Sequence, residues 1–190
     1  MTAEIVSRVI RNHALEHATM NVLSEKHTKF SAQGNSTPWG FHLNIYGPVT
    51  DEVVAGAVDE AYTRLQQGER KLALHPNCGT VLLTSATMAT LAAQSTFSLE
   101  RRRQQNSTIT LGVLLNALPA AILAVVVALI ISRPVGMAIQ ERFTVDPELG
   151  GLQVVQVKRV SPSPITRLFQ LLLGQSKNQD VNAFKVLTQG

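Results

Sequence analysis

Ile109–Ile131 reads ITLGVLLNALPAAILAVVVALII, and no Asp, Glu, Lys or Arg occurs from Gln104 to Ser132. At 1.5 Å per residue this run is long enough to cross the ~30 Å hydrocarbon core of a bilayer. Pro119 and Asn116 interrupt it near the middle, which a membrane helix tolerates when neighbouring groups re-satisfy the freed backbone. Upstream lies a second charge-free stretch, Leu72 to Leu99, containing Gly79–Phe97, GTVLLTSATMATLAAQSTF. Its Ser, Thr and Ala content suits a helix packed closely on another helix. The pair predicts a transmembrane hairpin over residues 79–132, joined by LERRRQQNS.

The whole chain is consistent with that reading. It has 190 residues, is 45% hydrophobic and only 16% charged, against about 25% charged in an average soluble domain. One cysteine excludes a disulfide framework and any multi-cysteine zinc cluster. A net charge of +4 with scattered basic residues leaves no nucleic-acid footprint. Arg101, Arg102 and Arg103 in the hairpin loop argue for a cytoplasmic loop, while Arg64, Arg70, Lys71, Arg133 and Arg142 argue for the opposite side. Met1–Leu23 lacks the apolar core of a signal peptide, so both termini are expected in the cytoplasm.

Residues 1–78 read as a small α-β-β-α-β domain of the α+β class. On a helical wheel starting at Ile5, the residues Ile5, Val6, Val9, Ile10, Met20 and Leu23 share one apolar arc, with Glu4, Arg8 and Arg11 opposite. KFSAQGNSTPWGFHLNIYG (29–47) predicts a β-hairpin in which the Gly, Asn, Ser and Pro cluster makes the turn. Thr50 caps a second helix with Val54, Ala57, Val58, Ala61 and Leu65 as its apolar stripe and Gly68 as terminator. KLALH (71–75) follows as a short strand. In the tail, residues 133–190, GLQVVQVKRV and AFKVLTQ predict a strand pair. Ile165, Leu168, Phe169, Leu171, Leu172 and Leu173 between them make a short apolar helix suited to a membrane interface.

The first helix carries His13-Ala14-Leu15-Glu16-His17, the pattern H-x-x-E-H. Histidines one helical turn apart can reach one metal from the same side, and a neighbouring glutamate can take a proton from metal-bound water. With this composition a chance match is expected about 0.006 times in the chain. Glu16, His13 and His17 fall at about 20°, 80° and 120° on the wheel, inside the apolar arc. Burying all three without partners would cost several kcal/mol, so a metal or a closed hydrogen-bond network must satisfy them. A catalytic zinc needs a third protein ligand. His75 and Cys78 in HPNCG are the leading candidates, a thiolate being well suited to zinc. Cys78 also fits as a small buried residue opening a helix, and Glu60 is an alternative ligand. His27 and His42 carry little weight. The metal set is therefore His13, His17, His75 and Cys78, with Zn2+ as the expected ion and Glu16 as the catalytic base.

NHALEHAT (12–19), GFHLNIYG (40–47) and HPNCGT (75–80), followed by the hydrophobic hairpin, resemble one family across residues 5 to about 155. It is an uncharacterised group of small bacterial membrane proteins, mainly of cyanobacteria and green non-sulfur bacteria. The resemblance implies a multi-pass protein of the bacterial inner or thylakoid membrane and brings no established activity. The pentapeptide alone is similar to that of the pitrilysin-like metallopeptidases, where the histidines bind zinc and the glutamate activates water. Those enzymes have much larger duplicated domains, so shared spacing is not shared function. Two functions stand side by side: a membrane-anchored zinc hydrolase acting on peptides, and a non-catalytic scaffold or assembly module that partners other membrane proteins. A closed four-ligand site favours the second, and three ligands with an open cleft favour the first.

Overall fold

The computed structural model describes residues 2–28, 30–105, 108–162 and 181–190. The chain forms two compact units, one made of Met1–His75 with Phe143–Gly190 and the other of Pro76–Arg142.

In the first unit, α1 (Thr2–Lys26) leads into β1 (Ser31–Thr37) and β2 (Gly40–Tyr46), then α2 (Asp51–Gln66). β3 (Gln153–Val160) and β4 (Val181–Gln189) complete an antiparallel sheet in the order β1-β2-β4-β3. Phe41, Leu43 and Ile45 alternate inward along β2 and are fully buried. Opposite them in the register stand Ser36, Gly34 and Ala32 of β1, while β4 offers Val186 opposite Phe41 and Phe184 opposite Leu43. Leu15, Ala18 and Leu23 of α1 and Val54, Val58 and Ala61 of α2 close the core over this face. Thr50 caps α2 by accepting from the Val53 N–H, and Gly68, at φ 92°, follows its end.

Three expectations need correction. Lys71–His75 does not form a strand: Arg70–Ala73 is a 3-10 turn, because the carbonyls there are taken by side chains of α1 instead of a ladder partner. The strand pair expected in the tail forms as β3 and β4, and β4 also pairs with β2 as the sheet's second inner strand. The hairpin turns at Pro38–Trp39, with Thr37 paired to Gly40. Gly34, Asn35 and Ser36 therefore lie within β1, and Gly34 has a packing role described below. Finally, Ile5 and Val6 at the start of α1 are 43% and 54% exposed; the buried stretch of that helix begins at Asn12. The apolar helix expected around Ile165–Leu173 lies outside the described residues.

The second unit, which ends at Arg142, is a helical hairpin of α3 (Gly79–Arg103) and α4 (Leu111–Ile139); a π turn at Gln140–Thr144 follows α4 in the chain. Val113, Ala117, Ala121, Ala128, Ser132 and Gly136 form the buried stripe of α4. Small residues there allow close approach: a Cβ on Gly136 would come within 2.9 Å of the Val81 Cα. Ser85 and Ser132 exchange a 2.7 Å hydrogen bond across the pair. The outward face of α4 is apolar, with Leu115, Ile122, Leu123 and Ile130 exposed.

Among the described residues, one helical segment, beginning at Leu111, is long and apolar enough to cross a membrane. The expectation of two such spans is corrected: α3 forms, but its hydroxyls lower its hydropathy. Thr84 and Thr96 turn those hydroxyls back onto the Thr80 and Ala92 carbonyls, each at 2.8 Å.

Candidate metal centre

The buried middle of α1 carries the polar trio of the H-x-x-E-H pattern. His17 is 1% and Glu16 3% exposed, and His13 is half-buried. The two imidazoles lie side by side with ring centroids 4.2 Å apart and planes tilted by 58°, and their nearest ligand atoms lie within 4.8 Å of one another. The one-turn spacing read from the sequence thus brings the pair together.

Each ring is oriented by a backbone carbonyl. His13 Nδ1 donates to the Thr144 carbonyl at 2.7 Å, and His17 Nδ1 donates to the Ala73 carbonyl at 2.9 Å. A carbonyl only accepts, so Nδ1 carries the proton, and in the neutral ring the lone pair is on Nε2. Metal-binding histidines characteristically have their second nitrogen engaged in this way.

The carbonyl donors are themselves fixed. Asn21, one turn beyond His17, donates through Nδ2 to the Leu72 carbonyl at 2.8 Å and the Leu74 carbonyl at 3.0 Å. On the other side, the Asp146 N–H donates to the Ile10 carbonyl at 3.0 Å, and Arg11 Nε donates to Asp146 at 3.1 Å. These bonds dock the segment containing Thr144 onto α1. Asn12, fully buried, donates to the Thr37 carbonyl at 2.9 Å and accepts from Thr188 at 2.8 Å.

Glu16 points at β1. Ser36 donates its hydroxyl to one carboxylate oxygen, and the other lies over Gly34, where a Cβ would overlap it and come within 2.8 Å of Glu16 Cγ. Asn21, Thr144, Ser36 and Gly34 were not singled out from sequence. The one available signal was the i, i+4 spacing of Asn21 from His17, which puts it on the same helical face as both histidines.

The remaining candidates separate clearly. The His75 ring is half-buried, with its centroid 5.7 Å from that of His17. Cys78 is buried and occupies the N-cap position of α3, at the start of the second unit. Glu60 does not serve this site: it pairs with Lys26 and Arg64. Lys26 is nine residues beyond His17, about 13 Å along a helix, and the hydrogen bond from Lys26 holds the Glu60 carboxyl below its usual range. His42 lies on the other face of β2, opposite Lys185. Burial and the Lys185 charge lower its pKa. The His27 backbone N–H donates to the Leu23 carbonyl at the end of α1.

Fold and site together define a class: an α+β unit with two carbonyl-oriented imidazoles on a buried helix, in one chain with an apolar helical hairpin. The chain belongs to the family described as Domain of unknown function (DUF6391), whose model matches residues 8–157. It is 40% identical over 94 residues to an uncharacterized protein of Picosynechococcus sp. (strain ATCC 27264 / PCC 7002 / PR-6). That alignment covers 43% of this chain and 45% of the relative's length. The cyanobacterial affinity suggested by the motifs is thereby borne out in part. No solved structure matches the chain.

Proposed function

We propose that this chain is a membrane-anchored metal protein, with a divalent ion held by His13 and His17. The observation that carries the reading is the pair of adjacent imidazoles, both with Nδ1 committed to a backbone carbonyl. That arrangement leaves Nε2 as the ligand atom of each ring, both on one helix. His75, whose ring centroid lies 5.7 Å from that of His17, is the third donor of the proposed site, and a set of nitrogen donors suits zinc.

Hydrolysis at that ion is the finer reading: Glu16 would take a proton from metal-bound water, whose pKa the ion lowers towards 7. A structural metal in an assembly module is the second reading, and one observation favours it. Glu16 is almost fully buried and anchored to Ser36, whereas a general base must reach water. Glu16→Gln decides between them. Under the hydrolytic reading zinc content is unchanged and peptide hydrolysis falls by two or more orders of magnitude. Under the structural reading no hydrolysis is found in either protein and thermal stability is what changes. Absence of stoichiometric metal from the purified wild-type chain overturns both.

α4 would be the membrane anchor, with α3 packed along it through small residues. Leu123, 66% exposed on α4, tests this. Arginine at the centre of a membrane helix costs about 2.5–3.5 kcal/mol on insertion scales, so Leu123→Arg should shift the chain from the carbonate-washed membrane pellet to the wash. An equally soluble distribution of both proteins would mean that α4 faces water.

A further inference from the structure

We infer that Asn21 is a positioning residue for the imidazole pair, setting the tautomer of His17 through the Arg70–Ala73 turn. This inference deepens the metal-binding reading, but its main readout does not depend on a bound ion. Three successive carbonyls of one short segment are captured by two side chains of α1. His17 takes the Ala73 carbonyl, and Asn21 takes Leu72 and Leu74 on either side of it.

The Ala73 carbonyl therefore cannot rotate away from His17 Nδ1 without breaking both amide hydrogen bonds. Asn suits this position because its Nδ2 carries two donors, one for each flanking carbonyl, and a helical spacing of four residues stacks it beside His17. Neither strand nor helix supplies the backbone partners here. The Leu74 N–H returns to the Lys71 carbonyl and the Leu72 N–H to the Glu69 carbonyl, so the carbonyls of 72, 73 and 74 depend on side chains for their direction. With this clamp the proton is on Nδ1, and Nε2 is the ligand atom. Without it, the two neutral tautomers of His17 become comparable, and only one of them presents Nε2 as a lone pair.

The test is Asn21→Leu, similar in size but without a donor. Long-range proton–nitrogen spectra of ring-labelled, metal-free protein report the His17 tautomer directly, and chelator competition reports zinc affinity. In the wild type a single Nδ1–H tautomer is expected. In Asn21→Leu both forms should appear, and zinc affinity should fall by about 10-fold, the range seen when an outer-shell hydrogen bond is lost. If Asn21→Leu does not fold, Asn21→Ser, which keeps one donor, takes its place in both measurements.

A variant that melts earlier but retains the pure Nδ1–H tautomer shows that Asn21 only packs the turn, and overturns the inference. A wild type that binds no zinc yet shows the tautomer shift in the variant leaves the positioning role standing and removes the metal-binding reading instead.

Discussion

Purified His17→Asn should contain almost no zinc where the wild type holds about one ion per chain, while remaining folded. The asparagine amide can still donate to the Ala73 carbonyl, which otherwise loses its 2.9 Å hydrogen bond. What it lacks is the Nε2 lone pair. This separates ligand loss from the cost of a buried carbonyl without a partner, about 1–3 kcal/mol, which would confound His17→Ala. His13→Asn is the parallel change, with the Thr144 carbonyl as the retained acceptor. Losing a ligand outright should exceed the roughly 10–100-fold penalty attached to outer-shell changes, so each variant should fail to retain metal through dialysis. Elemental analysis of the three proteins gives the answer. Full zinc in both variants would mean that the ion sits elsewhere and that the imidazoles adjoin for packing alone.

How much of this was legible in the sequence follows from the range of each interaction. The amphipathic helices, the Thr50 cap and the β2 alternation are local patterns, and they formed where the residues placed them. Burial of Glu16 and His17 was legible for the same reason, since a helical period of 3.6 residues fixes which side chains share the apolar face. The H-x-x-E-H spacing likewise determined that His13 and His17 would meet. Long-range pairing was not readable: nothing local in VNAFKVLTQ says that it inserts between β2 and β3. The KLALH segment misled because alternation fits a strand equally well when its carbonyls find side chains instead of a ladder. Composition also overstated the membrane content of α3. Freedom from formal charge is not apolarity, and its threonines and serines make the difference between a helix that lines another and one apolar enough to cross a bilayer.

Gly34→Ala should be clearly destabilising, and the reason links the sheet to the site. In a strand, glycine ordinarily weakens pairing and marks a close approach. Here the approaching group is the Glu16 carboxylate, lying where the Cβ would be. Alanine must displace it, and with it the hydrogen bond from Ser36. Overpacking alone costs about 1–3 kcal/mol, and an uncompensated carboxylate at 3% exposure adds to that. A fall in melting temperature of several degrees is expected from this sum. The decisive measurement is the double-mutant cycle with Glu16→Ala, which removes the carboxylate and opens the space. If the two residues are coupled as described, Gly34→Ala should be nearly neutral in that background, a coupling of about 1–3 kcal/mol. Strict additivity would mean that Glu16 moves aside at no cost. The carboxylate would then not be held by β1, and its orientation beside the imidazoles would need another explanation. Zinc content across the same four proteins extends the argument. Glu16 adjoins His17 in sequence and shares the buried face of α1, so a forced shift of its side chain should weaken metal retention in Gly34→Ala and leave it intact once Glu16 is truncated.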